Sequence, residues 1–283
     1  MKKLALFLIP VVLLLCTSGV EKDKEALKDY IAGDTILFNT TTHFEGRAVS
    51  DSGDTLPPST FDTLNTVLWG REITSHPEPE IEIEINGDSA YVIYTGHNLG
   101  TIDLFYMLPD SSYKLLKKLL SETFEIRAIF KRLGNTDDEY RGWKLTNISG
   151  SIGQSDSVAT VKIDSIRITT STTKIDTLIT DPMTIIDTAN VMVFKPLEEV
   201  TITVYTNTLD AKLFLHTFIL IWPYHIRIPF TNNGDGSYTG TWHVQLIPSI
   251  RFAIFDMLHW DTLYDDNYSY DFMGWLIPYI ILP

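Results

Sequence analysis

The chain has 283 residues, 44% of them hydrophobic, and a formal charge of −14 at neutral pH. Such acidity repels nucleic acid and anionic lipid, and no block of basic residues offsets it, so neither is an expected partner. Cys16 is the single cysteine, which excludes an intrachain disulfide.

The first residues have the layout of a secretory leader. Lys2 and Lys3 form a positive start, and Leu4 to Leu15 is an apolar run of twelve residues. That run is too short to span a bilayer but suits export. Leu13-Leu14-Leu15-Cys16 resembles a bacterial lipobox, which implies acylation of Cys16 after cleavage. Leu15 departs from that pattern, where Gly, Ala or Ser is usual. Cleavage after Ser18, with Cys16 lost, is the alternative. Roughly 265 residues remain past the leader, enough for one or two cores. No later transmembrane helix is expected, and the membrane is a partner only through the lipid.

Composition divides the rest. In residues 22–150, Ala26, Leu27, Tyr30 and Ile31 recur at helical spacing and Gly33 ends the helix. Residues 46–60 read as loop. Ile81, Ile83 and Ile85 alternate with Glu82 and Glu84, and Asn86-Gly87 predicts a tight hairpin. Leu115, Leu116, Leu119 and Leu120 suit a short helix or irregular link, followed by a strand over about 124–132. A last strand contains Trp143 and Leu145.

A helix, a polar insertion, a hairpin and then "RAIFKRLGN" and "GWKLTNISG" resemble the SnoaL-like family, also described as nuclear-transport-factor-two-like. The resemblance implies an α+β fold, a helix on a curved antiparallel sheet forming a cone. It also implies that His97 can line a pocket as an acid or base. The alternative for His97 is a polar turn residue. The sequence pattern shows one helix here, where the family usually has more.

Gly150 to Ser157 is Gly/Ser-rich and reads as a linker. Beyond it, residues 158–283 carry short alternating segments at intervals of about ten residues: "VKIDSIRITTS", "EVTITVYT", "AKLFLHTF", "HIRIPF", "GSYTGTWHV", "IRFAIFD" and "WLIPYIIL". They predict an all-β, immunoglobulin-like sandwich. Asn232 to Gly236 is a hairpin turn. It lacks the spaced acids and closing Glu of a calcium loop.

Candidate chemistry is sparse. There is no Gly-x-Ser-x-Gly elbow, phosphate loop or His-Glu-x-x-His helix. Three of His216, His225, His243 and His259 could meet at a metal only if their strands adjoin; scattered surface or half-buried positions are the simpler reading. No cofactor, metal or catalytic residue is assigned. The order of segments over 198–283 resembles immunoglobulin-like starch-binding modules, with Phe252, Phe255 and Asp256 on the Phe-rich strand. That resemblance implies a ligand site at Trp260, Tyr264, Asp265, Asp266, Asn267 and Tyr270. Aromatic rings would pack on sugar faces while Asp and Asn bind hydroxyls. A calcium site, or a turn with rings filling the sandwich end, are the alternatives.

The expectation is an exported, lipid-anchored, two-domain bacterial protein serving as a non-catalytic binding or structural module of the cell envelope. Its rivals are a carbohydrate-binding module in the C-terminal half and a small-molecule or enzymatic pocket in the N-terminal cone.

Overall fold

A computed structural model describes residues 5–34, 36–38, 49–50, 64–218 and 225–282. Helix α1 runs Ala5–Gly33. Its C-terminal part buries Ala26, Leu27 and Ile31 along one face, the spacing read from the sequence. Past Gly33, the Asp34 carboxylate accepts from the amides of Ile36 (2.9 Å) and Leu37 (2.5 Å), which turns the chain. The loop expected over 46–60 lies outside the described residues except for β1, Val49–Ser50.

Strands β2 (Thr66–Ser75) and β3 (Glu80–Asn86) lie one after the other along a single edge of β4 (Ser89–Met107). In β3 the three isoleucines turn toward the core while Glu80, Glu82 and Glu84 stay exposed. Asn86 pairs with Ser89, so the two-residue loop is Gly87-Asp88, one position later than Asn86-Gly87. Gly87 takes φ 61° there, a conformation open to glycine.

The segment expected as a short helix or irregular link is strand throughout, continuous with the strand expected over about 124–132. β5 (Tyr113–Arg132) pairs with β4 from Met107↔Tyr113 to Ser89↔Lys131. Leu116 and Leu120 turn inward, while Leu115 and Leu119 face solvent. The leucine doublets satisfy helical spacing by accident. A continuous ladder beside β4 overrides local propensity.

β6 (Trp143–Ser155) contains most of the stretch expected as a linker. Its residues 151–154 pair with β5 on one side and with β17 (Phe272–Ile281) on the other. The small residues there meet a packing demand: a Cβ on Gly153 would lie 2.2 Å from the Phe124 ring. Residues 22–150 and 158–283 therefore contribute to one sheet.

The remaining elements are β7 (Ile163–Thr170), β8 (Asp176–Ile179), β9 (Ile186–Asp187), β10 (Met192–Phe194), β11 (Glu199–Thr206), β12 (Ala211–Phe218), β13 (His225–Pro229), β14 (Thr231–Asn232), β15 (Ser237–His243), β16 (Ser249–His259) and the short helix α2 (Trp260–Tyr264). The large sheet runs β1-β2-β4-β5-β6-β17-β16-β12-β13. β3 adds to β4, β9 to β6 and, in parallel, β10 to β17. A separate antiparallel sheet runs β14-β15-β11-β7-β8.

The protein is mostly β. One N-terminal helix rests on a curled antiparallel half-barrel, and the five-stranded sheet packs beside it. The shared strands are apolar on both faces, which produces near-continuous hydrophobic runs. In β16, Phe252, Ile254 and Leu258 enter the core beneath α1, while Ala253, Phe255 and Met257 enter the core between the sheets. Among the described residues no helix is long and apolar enough to cross a membrane.

Candidate functional site

The curl brings β2 against β16 and β12, and the contact is polar at its centre. Arg71 follows Trp69 on the inward face of β2 and is enclosed by aromatic rings. Its guanidinium carbon lies 4.8 Å from the Phe272 ring centre and 5.5 Å from that of Tyr270. Nη1 and Nη2 donate to the two oxygens of Asp256 at 2.6 and 2.8 Å, a bidentate pair. Nε donates to the Tyr270 hydroxyl at 2.8 Å, and that hydroxyl donates to Glu122 Oε1. On the far side of Asp256, His216 Nε2 lies 2.7 Å from Oδ2. The side chains of Arg71, Glu122, Asp256 and His216 are fully buried.

One branch reaches the surface. Asn98 Nδ2 donates to Glu122 Oε2 at 3.4 Å, and Asn98 Oδ1 lies 3.0 Å from Nδ1 of the exposed His76.

The charges set one another. Burial pushes the Asp256 carboxyl up, but Arg71 and then His216 outweigh it and hold the group well below the usual carboxylate range. Burial also works against the Arg71 charge, and Asp256, Tyr270 and Glu122 more than restore it. Glu122 is pushed up by burial, which Arg71 only partly opposes. Burial likewise lifts the Tyr270 hydroxyl well above its ordinary value. His216 is lowered by burial despite Asp256. At neutral pH this gives a neutral imidazole donating Nε2–H to an ionised Asp256, which also pairs with Arg71.

A second cation fastens α2. Lys118, on the inward face of β5, donates from Nζ to the carbonyls of Asp261 (3.3 Å), Thr262 (2.7 Å) and Asp265 (2.5 Å). Burial lowers it to about 8, while Asp265, Asp266 and Asp261 pull the other way.

The expected ligand residues are placed differently from one another. Tyr270 is 1% exposed and belongs to the network. Trp260 is 9% exposed. Its ring stacks on Tyr264 with centroids 4.2 Å apart, and Lys212 Nζ sits 5.0 Å from the Trp260 ring. Asp265, Asp266 and Asn267 close a turn on themselves: Asn267 N donates to Asp265 Oδ1 (2.8 Å) and Asn267 Nδ2 to Asp266 Oδ1 (2.7 Å). Tyr268 stacks on His259 at 4.6 Å.

His97 is partly buried on the face of β4 opposite Asn98, with Nδ1 3.0 Å from Thr123 Oγ1. The described histidine side chains do not gather. His216 is in the network, His243 faces Glu199 at 3.5 Å, and His259 Nδ1 accepts from Asp261 N at the start of α2. The side chains of His225 and Cys16 lie outside the described residues. Among the described residues no three His, Cys, Asp or Glu side chains are grouped to hold a metal ion.

The sequence alone points Asp256, His216 and Tyr270 to other roles and gives Arg71, Glu122, Asn98 and Lys118 none. The missed signal is parity: Trp69-x-Arg71-x-Ile73, Leu120-x-Glu122-x-Phe124 and Ile254-x-Asp256-x-Leu258 each set a charge between inward apolar residues.

A half-open cleft of about 360 Å³, away from the network, lies between β8 and the segment from Asp181 to Met192, with Ile277 and Pro278 also lining it. No protein-family model matches the sequence, and comparison with curated proteins and with solved structures finds no significant similarity.

Proposed function

We propose that the protein is an exported, lipid-anchored module of the bacterial cell envelope, attached through Cys16 and serving a non-catalytic binding or structural role. The observation that carries the non-catalytic part is the burial of Arg71, Glu122, Asp256 and His216. Their acids and bases are paired with one another across the mouth of the curl, as suits a lock between β2 and β16. A group poised for chemistry would instead meet a substrate. The export part rests on Lys2, Lys3, the apolar run Leu4 to Leu15 and the lipobox-like Leu13 to Cys16.

The finer fold reading belongs to the same proposal: a SnoaL-like cone from the helix and curled sheet, and an immunoglobulin-like sandwich from the shared strands and the small sheet. The geometry does not favour a glycan platform at Trp260 to Tyr270. Tyr270 is committed to the network, and Lys212 sits over the Trp260 ring.

The test is expression of the full chain in a bacterial host, followed by intact mass and membrane fractionation. The proposal expects acyl mass on Cys16, recovery in membranes, and loss of both in Cys16→Ser. An unmodified protein cleaved after Ser18 and found in the soluble envelope fraction refutes the anchor.

A further inference from the structure

One rim of the half-barrel carries features that the buried network does not use. By strand direction, the end of β5, the start of β6, the end of β17 and the start of β16 lie toward the same end of the large sheet; β6 and β17 pair over 151–154 and part beyond, where β9 joins β6 and β10 joins β17. At that rim α1 is pinned. Asp23 accepts from Arg132 Nη2 at 2.6 Å and from Arg141 Nε at 2.7 Å, where Arg132 ends β5 and Arg141 precedes β6. Arg141 sits in a left-handed turn, with φ of 50° at Tyr140, 55° at Arg141 and 76° at Gly142. Two of these carry side chains, so the turn is strained and the clamp on Asp23 helps hold it. Cys16 lies two helical turns before Asp23, about 10 Å along α1.

The same end is apolar where β10 and β17 end and β16 starts. Val193, Leu197, Leu246, Ile247, Ile250 and Leu282 are between 37 and 57% exposed. Backbone pairing gathers them. Val193 and Ile250 both lie opposite Ile280, Leu197 N donates to Val244 O at 3.0 Å, and Leu282 N donates to Phe194 O at 3.1 Å. The loop from Val244 to Ser249 carries no charged residue.

We propose that this apolar rim is a second, shallow membrane contact, entering the lipid interface beside the acylated Cys16. The inference rests on the anchor reading above. The bilayer is the occupant because the anchor and the patch leave the same rim, and the short pinned tether keeps that rim turned toward the membrane. A chain of charge −14 gains nothing from anionic headgroups, so the contact is apolar and zwitterionic lipid suffices.

The test uses the full chain expressed in bacteria, with the lipidated product reconstituted in phosphatidylcholine vesicles with or without brominated acyl chains. Ile247→Cys, or Leu119→Cys on the solvent face of β5, supplies the only free thiol, because Cys16 is the sole native cysteine and is acylated. An environment-sensitive fluorophore is attached there. Brominated lipid should quench the probe at position 247 about twofold or more and leave that at 119 unchanged. Equal, unquenched emission at both positions with Cys16 acylated overturns the rim contact and leaves the anchor standing. If mass shows no acyl group on Cys16, the anchor reading fails. The same two probes in the Cys16→Ser chain then decide the rim alone, quenching at 247 supporting it and none overturning it.

Discussion

Replacing Arg71 by Met should be among the most destabilising single changes in the chain. The substitution keeps an unbranched side chain among Trp69, Tyr270 and Phe272 but removes the cation that holds Asp256 ionised. Stranding one partner of a buried ion pair costs ~3–5 kcal/mol. Glu122 adds little to that cost, because its pKa is already raised and it can take up a proton. For a body of this size each kcal/mol moves Tm by about 2–4 °C, so the loss should be roughly 10 °C. Pairing Arg71→Met with Asp256→Leu removes both charges and should recover most of it, to within about 2 kcal/mol of wild type. Guanidinium unfolding at pH 7, followed by tryptophan fluorescence, supplies the four corners of the cycle. A loss below about 1 kcal/mol for Arg71→Met, or a double variant equal to the sum of the singles, would refute the buried lock.

Three further outcomes follow from neighbouring geometry. His216 is held below its ordinary 6.5, so the unfolded chain binds the extra proton first and stability present above pH 6.5 is lost as pH falls. Tm should therefore decline from pH 7 to 5 in wild type and stay flatter in His216→Gln; parallel profiles would contradict this. Asp256 works in the same sense at lower pH, and Glu122, being raised, in the opposite sense. Asp23→Ala should cost about 2 kcal/mol by removing the carboxylate that Arg132 and Arg141 share, Arg132 keeping Asp88, and should speed tryptic cleavage after Lys24 and Lys28. Unchanged cleavage would mean that the clamp does not hold α1. Gly100→Ala sets a Cβ 2.0 Å from the Glu72 carbonyl oxygen, so β2 must shift off β4 at a cost of about 1–3 kcal/mol, read as a lowered Tm.

Much of the strand pattern is legible because alternation is local. The isoleucines of β3, the run in β11 and the turn glycines near Asn232 each announce themselves within ten residues. What is not legible depends on distant partners. β6 and β17 meet across more than a hundred residues, so Gly150 to Ser155 look like a linker until Phe124 and β17 are seen to require small side chains there. β5 hides behind two leucine doublets that fit a helix equally well. Arg71 and Asp256 are 185 positions apart, and neither has a local signal beyond its apolar neighbours at i±2. Tyr270 illustrates the cost of reading composition alone. Within "YDDNYSYDF" it looks like a sugar-facing ring, yet strand parity with Phe272 turns it into the core.

The most direct test of the central claim is native-state hydrogen exchange of β2 against β16. If the Arg71 network is a permanent lock, the amides of Thr66–Ser75 that pair with β4 should exchange only with the slowest amides of Ser249–His259, through global unfolding. If β2 opens by itself, exchanging orders of magnitude faster than β16, then Arg71 and Asp256 meet solvent in the folded protein and the account of a sealed, non-catalytic core is wrong.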